Sequence, residues 1–171
     1  MPTAIVLNLE ITIQPELPLM NTTTTETPTK CIEWCNRLLR GERSAVETYL
    51  LAIEKHRNDP RLHELKAICE EHRSSVSDLE KNVRGMGGEP DTDSGAWGQF
   101  AQAVQIAANL FGSHGAVESL QQGEEHGLKD YRKALDSGEL MPECVTLMRD
   151  RLIPRIESHL TVLDRVEERV D

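Results

Sequence analysis

Apolar residues recur at three- and four-residue intervals over four long stretches of the chain, each closed by glycine, asparagine or proline. Over about 31–56, Cys35, Leu38, Leu39, Val46, Tyr49 and Ile53 share one helical face, and Asn58-Asp59-Pro60 ends the run. Over about 60–84, Leu62, Leu65, Ile68, Val76, Leu79 and Val83 make a second stripe, which Gly85-Met86-Gly87-Gly88 stops. Residues 89–95 read as a polar loop, and 96–111 as a short helix closed by Gly112 that crosses between two halves of the molecule. A third long helix is expected over 115–135. A fourth begins at Pro142, a favoured first helical residue, and continues to about 169. Pro154 lies inside that fourth helix and should kink it, because it has no N–H to bond back to Asp150. The expected architecture is all-α: an antiparallel four-helix bundle with a short crossover helix between two helical hairpins.

The first 29 residues have no such periodicity. They carry Pro2, Pro15, Pro18 and Pro28 and the tract Thr22-Thr23-Thr24-Thr25, so 1–29 is read as a disordered tail and 30–171 as the bundle. Residues 4–13 alternate enough to resemble a strand but have no partner strand elsewhere, and Met20 stands beside Met1 as a second candidate start. At 171 residues the chain suits one domain, and its 4% aromatic content fits helices better than sheets.

Charge and cysteine usage narrow the function classes. A formal net charge of -10 with no Lys/Arg-rich run argues against nucleic-acid binding and makes cations the more natural small partners. Cys31, Cys35, Cys69 and Cys144 form no Cys-x-x-Cys pair, no apolar run reaches membrane-spanning length, and the N-terminus lacks a basic region before its apolar stretch. A cytoplasmic protein without a membrane partner is therefore expected. There is no phosphate-binding glycine loop, nucleophile elbow or His-Glu-x-x-His, so hydrolase, kinase and dehydrogenase readings have no support.

The two halves also resemble one another. Laying Gly41-Glu42 on Gly123-Glu124 pairs Val46 with Leu128, Tyr49 with Tyr131, Ala52 with Ala134 and Ile53 with Leu135 without a gap. Laying His72 on His159 pairs Leu65 with Leu152, Glu70 with Glu157, Val76 with Leu163 and Leu79 with Val166. The chain reads as a duplicated helical hairpin.

Within each stripe sits one titratable group. Glu42 falls between Leu39 and Val46, Glu124 between Leu120 and Leu128, His72 between Ile68 and Val76, and His159 between Ile156 and Leu163. Burying an unpaired carboxylate costs several kcal/mol, so four inward groups call for mutual pairing or a shared cation. Two carboxylates and two imidazoles suit a single iron, zinc or manganese ion, with Cys69 as a soft extra ligand. The alternative is a buried ionic and hydrogen-bonded cluster that fixes helix register. Two irons in a bundle core take a Glu from each of two helices and a Glu-x-x-His from each of the others, whereas Cys69 and Ile156 stand three residues before the two histidines here.

The segments RLLRGERSAVETYLLAI, VRGMGGEPDTDSGAW and GEEHGLKDYRKAL resemble an uncharacterised bacterial family of ferritin-like bundles, catalogued as a domain of unknown function, over about 32–166. Gly-Glu with Tyr seven residues after the Glu is also similar to the rubrerythrin branch of ferritin-like proteins. That resemblance implies that Glu42 and Glu124 stand at metal-ligand positions and that His72 and His159 match the His of Glu-x-x-His. The departures at Cys69 and Ile156 weigh against di-iron chemistry. The expectation is a ferritin-like bundle, homodimeric, non-enzymatic and stress-associated by analogy of fold; the alternative is a mononuclear or degenerate di-metal protein of storage, sensing or oxidation. A chain that starts at Thr29 is expected to keep its helicity and melting temperature, with limited proteolysis of the full chain trimming the same segment; a much lower melting point would make the tail part of the fold.

Overall fold

The computed structural model of the chain describes residues 26–55, 62–95 and 98–168, with backbone alone at 26, 62 and 98–114. Residues 1–25, most of the expected tail, lie outside the described residues, as does Trp97. Helix α1 spans Glu26–Lys55, α2 Leu62–Gly85, α3 Gly98–Asp136, α4 Pro142–Leu147 and α5 Ile153–Glu167, with a π-helical turn at Met148–Leu152 joining the last two. No strand occurs among the described residues, and no described helix is long and apolar enough to cross a membrane.

The helix ends follow the sequence signals. At the end of α2, Gly87 takes φ +79° while the Gly88 N–H donates to the Val83 carbonyl and the Gly87 N–H to the Arg84 carbonyl, both at 2.9 Å. This is a Schellman cap, which satisfies carbonyls that the helix leaves unpaired. Pro142 opens α4 behind an extended Met141, as a residue with no N–H to lose should.

Pro154 acts differently from the expected kink. The Ile153 N–H reaches back five residues to the Met148 carbonyl, and the proline enters the first turn of α5. The apolar positions Cys144, Met148, Leu152 and Ile156 are all buried although each lies four residues from the last. Three such steps would turn an ideal α-helical stripe by about 120°. The wider π turn takes up part of that rotation and keeps one face on the core.

Neighbouring helices run antiparallel around the bundle. Helix α1 meets α2 through Arg43–Glu80 and Cys35–Asn82, and meets α3 through Arg37–Asp130 at 3.3 Å and Tyr49–Glu124 at 2.7 Å. Helix α5 meets α3 through Arg132–Glu157 at 3.4 Å and Gln121–Asp164 at 2.9 Å. The fourth-helix segment meets α2 through Arg151–Asp78 at 3.1 Å and His159–Glu71 at 3.0 Å. With α3 antiparallel to α1, it is parallel to α2, so the link between α2 and α3 must travel along the bundle. An irregular strap does this rather than the expected short helix. Gly88 lies against Ile32, the Asn36 amide bonds both Glu89 and Asp91, Arg40 and Arg43 hold Asp91, and Ser94 donates to Glu47. The expected crossover helix over 96–111 and the third long helix form one continuous α3. Gly112 and Gly115 do not break it, since an interior glycine costs only about 1 kcal/mol and no proline intervenes.

The core divides into two apolar clusters. One holds Cys31, Cys35, Leu38, Leu39, Leu79, Val83, Tyr131, Met148 and Leu152; the other holds Tyr49, Ala52, Leu65, Ile68, Val117, Leu120, Leu163 and Val166. On each of α1, α2, α3 and α5 one buried titratable residue stands between the two sets: Glu42, His72, Glu124 and His159.

Packing at the strap yields a testable contrast. A Cβ on Gly88 would stand 2.8 Å from Ile32 Cγ2, whereas one on Gly41 meets nothing within 4 Å. Gly88→Val should destabilise the protein by about 1–3 kcal/mol in chemical denaturation. Gly41→Ala should stabilise it by roughly 0.5–1 kcal/mol, the entropy of an interior helical glycine.

Candidate metal centre

His72 forms the middle of the polar layer. Its Nδ1–H donates to Glu42 Oε2 at 2.7 Å and its Nε2–H to Glu124 Oε1 at 2.9 Å. Both carboxylates receive a phenol as well: Tyr131 OH donates to Glu42 Oε1 and Tyr49 OH to Glu124 Oε1, each at 2.7 Å. The tyrosines come from opposite apolar clusters, and each bonds the glutamate of the other repeat. His159 completes the layer, with Nδ1 at 3.3 Å from Glu124 Oε2, Nε2 at 3.0 Å from Glu71 Oε2, and its ring centroid 4.7 Å from that of His72.

No water is needed to satisfy these groups, and each of the four central residues is at most 4% exposed. Burial alone opposes charge on His72, but the Glu124 and Glu42 carboxylates outweigh it and push its pKa up to about 10. Burial likewise opposes ionisation of Glu124, yet His72 and the hydrogen bond from His159 hold it well below the usual carboxylate range. Burial first, then the adjacent carboxylates, pushes both tyrosines well above their ordinary value. The layer at neutral pH is therefore an imidazolium clasped by two carboxylates, with two neutral phenols as donors.

A cavity of about 60 Å³ adjoins the layer between α1 and α3. Gly41, Ala45, Gly123 and Gly127 leave this space because none carries a side chain beyond Cβ, while Glu42, His72, Glu124 and both tyrosines line its inner wall. The Arg37–Asp130 ion pair stands beside it, with the guanidinium 5.5 Å from the centre of the Trp34 ring.

Comparison with known families places this arrangement. A family model described as a domain of unknown function, DUF2383, matches residues 30–137. The chain belongs to the DUF2383 family. The match takes in most of α1, all of α2 and all of α3. A solved structure, a ferritin-like, diiron-carboxylate protein from Bacillus anthracis str. Ames, is similar with a TM-score of 0.65 and 23% identity, over 84% of this chain and 99% of that one. This likeness establishes a ferritin-like bundle. The comparison with curated proteins finds no match.

In this DUF2383 member the donor set fits one ion rather than two. The ligand atoms of His72, Glu124 and His159 lie within 4.8 Å of one another. Ile156 is buried in the apolar core and supplies no donor, and Cys69 turns away from the group, its Sγ 4.0 Å from the Val46 carbonyl. Burial pushes the Cys69 thiol up. Glu42, His72, Glu124 and His159 are brought together, then, and Cys69 is not. Glu71 was not singled out by the sequence, where it reads as part of a solvated acidic run. Half exposed at its own position, it still reaches across to α5 and His159. Only the placement of α5 opposite α2 reveals that reach.

Two outcomes follow from the layer. Glu42→Ala leaves His72 paired with Glu124 but takes the acceptor from two buried donors, the His72 Nδ1–H and the Tyr131 hydroxyl, and should cost about 2–6 kcal/mol, whereas Tyr131→Phe removes one hydrogen bond to a carboxylate and should cost about 1.5–3 kcal/mol, both read by urea denaturation. The second concerns pH. The raised His72 pKa gives stability that is complete below its ordinary 6.5 and is lost as pH rises through about 10. The lowered Glu124 pKa gives stability present above its ordinary 4.5 and lost as pH falls below it. Stability should be flat between these ordinary values and fall on the alkaline side, and His72→Gln should flatten that alkaline limb.

Proposed function

We propose that this protein is a mononuclear metal-binding member of the ferritin-like class. One divalent first-row ion (iron, manganese or zinc) is held by His72, Glu124 and His159, with Glu42 and Glu71 as neighbouring carboxylates. The observation that carries the reading is the convergence of three buried donor atoms within 4.8 Å of one another beside a cavity. Nitrogen and carboxylate donors suit these ions, and such donors are distinct from the sulfur sets that select softer metals. When bound, the ion would supply Lewis-acid or one-electron chemistry suited to storage, sensing or oxidation. The chain's own part is to orient the donors through the Tyr49 and Tyr131 hydroxyls and to limit access to the space beside Gly41 and Gly123.

A second reading, a non-enzymatic bundle with a purely structural ionic layer, is favoured by one observation: all four oxygens of Glu42 and Glu124 already accept a hydrogen bond. Metal analysis separates the two. Purified protein should carry, or take up from iron(II), manganese(II) or zinc(II), one equivalent per chain. At a hundredfold excess over Kd the ion should add about 2.7 kcal/mol of stability. Binding must displace protons from the imidazoles, so affinity should weaken as pH falls. Protein that is metal-free and whose melting temperature none of the three ions moves would leave the structural reading alone.

A further inference from the structure

Three of the four cysteines, none of them in a disulfide, meet at the end of the bundle that holds the start of α1. Cys31 and Cys35 lie one turn apart on α1, and Cys144 comes from the first turn of α4. Cys31 Sγ is 2.8 Å from Cys144 Sγ, Cys35 Sγ is 3.8 Å from it, and all three sulfurs lie within 4.8 Å of one another. A fourth sulfur, Met86 Sδ from the turn after α2, stands 3.7 Å from Cys144 Sγ. The Met141 backbone N–H points at Cys31 Sγ from 3.3 Å, and the Asn82 side chain lies 2.9 Å from Cys144 Sγ.

We propose that Cys31, Cys35 and Cys144, with Met86 as a thioether donor, form a binding site for a single copper(I) ion, separate from the carboxylate and histidine layer. Thiolates sharing a soft cation at about 2.3 Å stand roughly 3.8–4.0 Å apart in tetrahedral or trigonal geometry. Cys35 and Cys144 already have that spacing, and Cys31 reaches it by withdrawing about an ångström. Thiolates also hold zinc, but the Met86 thioether in a group with no imidazole or carboxylate favours the softer copper(I). A backbone N–H directed at one sulfur is a typical outer-shell support for a thiolate ligand. The cysteines are at most 1% exposed, but Asn82 and Met86 are only partly buried and mark the side from which an ion enters. Packing alone accounts poorly for the group. Buried cysteines that act as small hydrophobes need no common focus, yet Cys69 stands apart from the other three and bonds a backbone carbonyl.

The test uses the full chain, reduced and held without oxygen, titrated with copper(I) in competition with a chromophoric copper(I) chelator. One equivalent should be withdrawn from the chelator, with a thiolate-to-copper charge-transfer band in the ultraviolet. Cys69→Ala should leave the stoichiometry at one. The double variant Cys31→Ala/Cys144→Ala should lose the band and the competition. Should that variant lose its helical circular dichroism, Met86→Leu, which conserves volume, decides the matter by weakening affinity about tenfold. Folded wild-type protein that fails to compete would overturn the proposal, including the case in which Cys31 and Cys144 only exchange between a disulfide and two thiols. Unchanged affinity in both the double variant and Met86→Leu, or loss of the site in Cys69→Ala, would overturn it as well.

Discussion

Everything in this bundle is arranged around a charge that has no access to water. His72 sits at the centre of the fold with a carboxylate on each ring nitrogen; removing His72 would leave two buried carboxylates without their cation, and removing either carboxylate would leave a buried ring N–H without an acceptor. Such a layer is a poor route to stability, since well-packed apolar residues of the same volume do as well or better. It is a strict register lock. Sliding α1 past α2 by one turn would leave Glu42 facing apolar side chains instead of an imidazole. The apolar clusters on either side, each lined by all four helix stripes, fix the layer's height in the bundle.

Much of this was legible in the sequence because the decisive signal is local. A charged residue on an otherwise apolar stripe announces its own burial, and the repeat alignment announces which of these residues belong together. Glu42, His72, Glu124 and His159 were found in that way. Even the cross-bonding of the tyrosines is consistent with the alignment, since Tyr49 and Tyr131 occupy the same place in their repeats. Features that depend on which helix faces which were not legible. Glu71 lies next to His72 in sequence but bonds His159, and Cys144 joins Cys31 across 113 positions. Neither pairing leaves a trace in spacing. Cys69 shows the converse: its place three residues before His72 offers a soft extra ligand on paper, but the thiol finds the Val46 carbonyl instead.

The same distinction explains the two differences in the backbone. A glycine in a helical pattern is a weak stop, and Gly112 was overridden where α3 continued. A proline is an absolute loss of one donor, but the helix chooses how to absorb it. Here the stripe of Cys144, Met148, Leu152 and Ile156 would drift off the core in an unbroken α-helix, so a π turn ahead of Pro154 answers two demands at once. The spacing of apolar residues carried that information; the proline alone did not.

The departure from two-fold symmetry sets the two histidines apart. By the repeat, His159 should place one nitrogen on Glu124, as His72 does on Glu42, and the other on Glu42. It does the first and turns the second to Glu71, a carboxylate that is half exposed. His72 is thus sealed inside the layer while His159 connects the layer to the surface. The buried side of the group has two carboxylates and one imidazolium, which leaves a charge of −1 before His159 and Glu71 are added. A symmetric arrangement would close on itself. The asymmetric one joins Glu71, His159, Glu124 and His72 in a hydrogen-bonded line that runs from a half-exposed carboxylate to the buried centre, so the groups of the layer polarise one another along it.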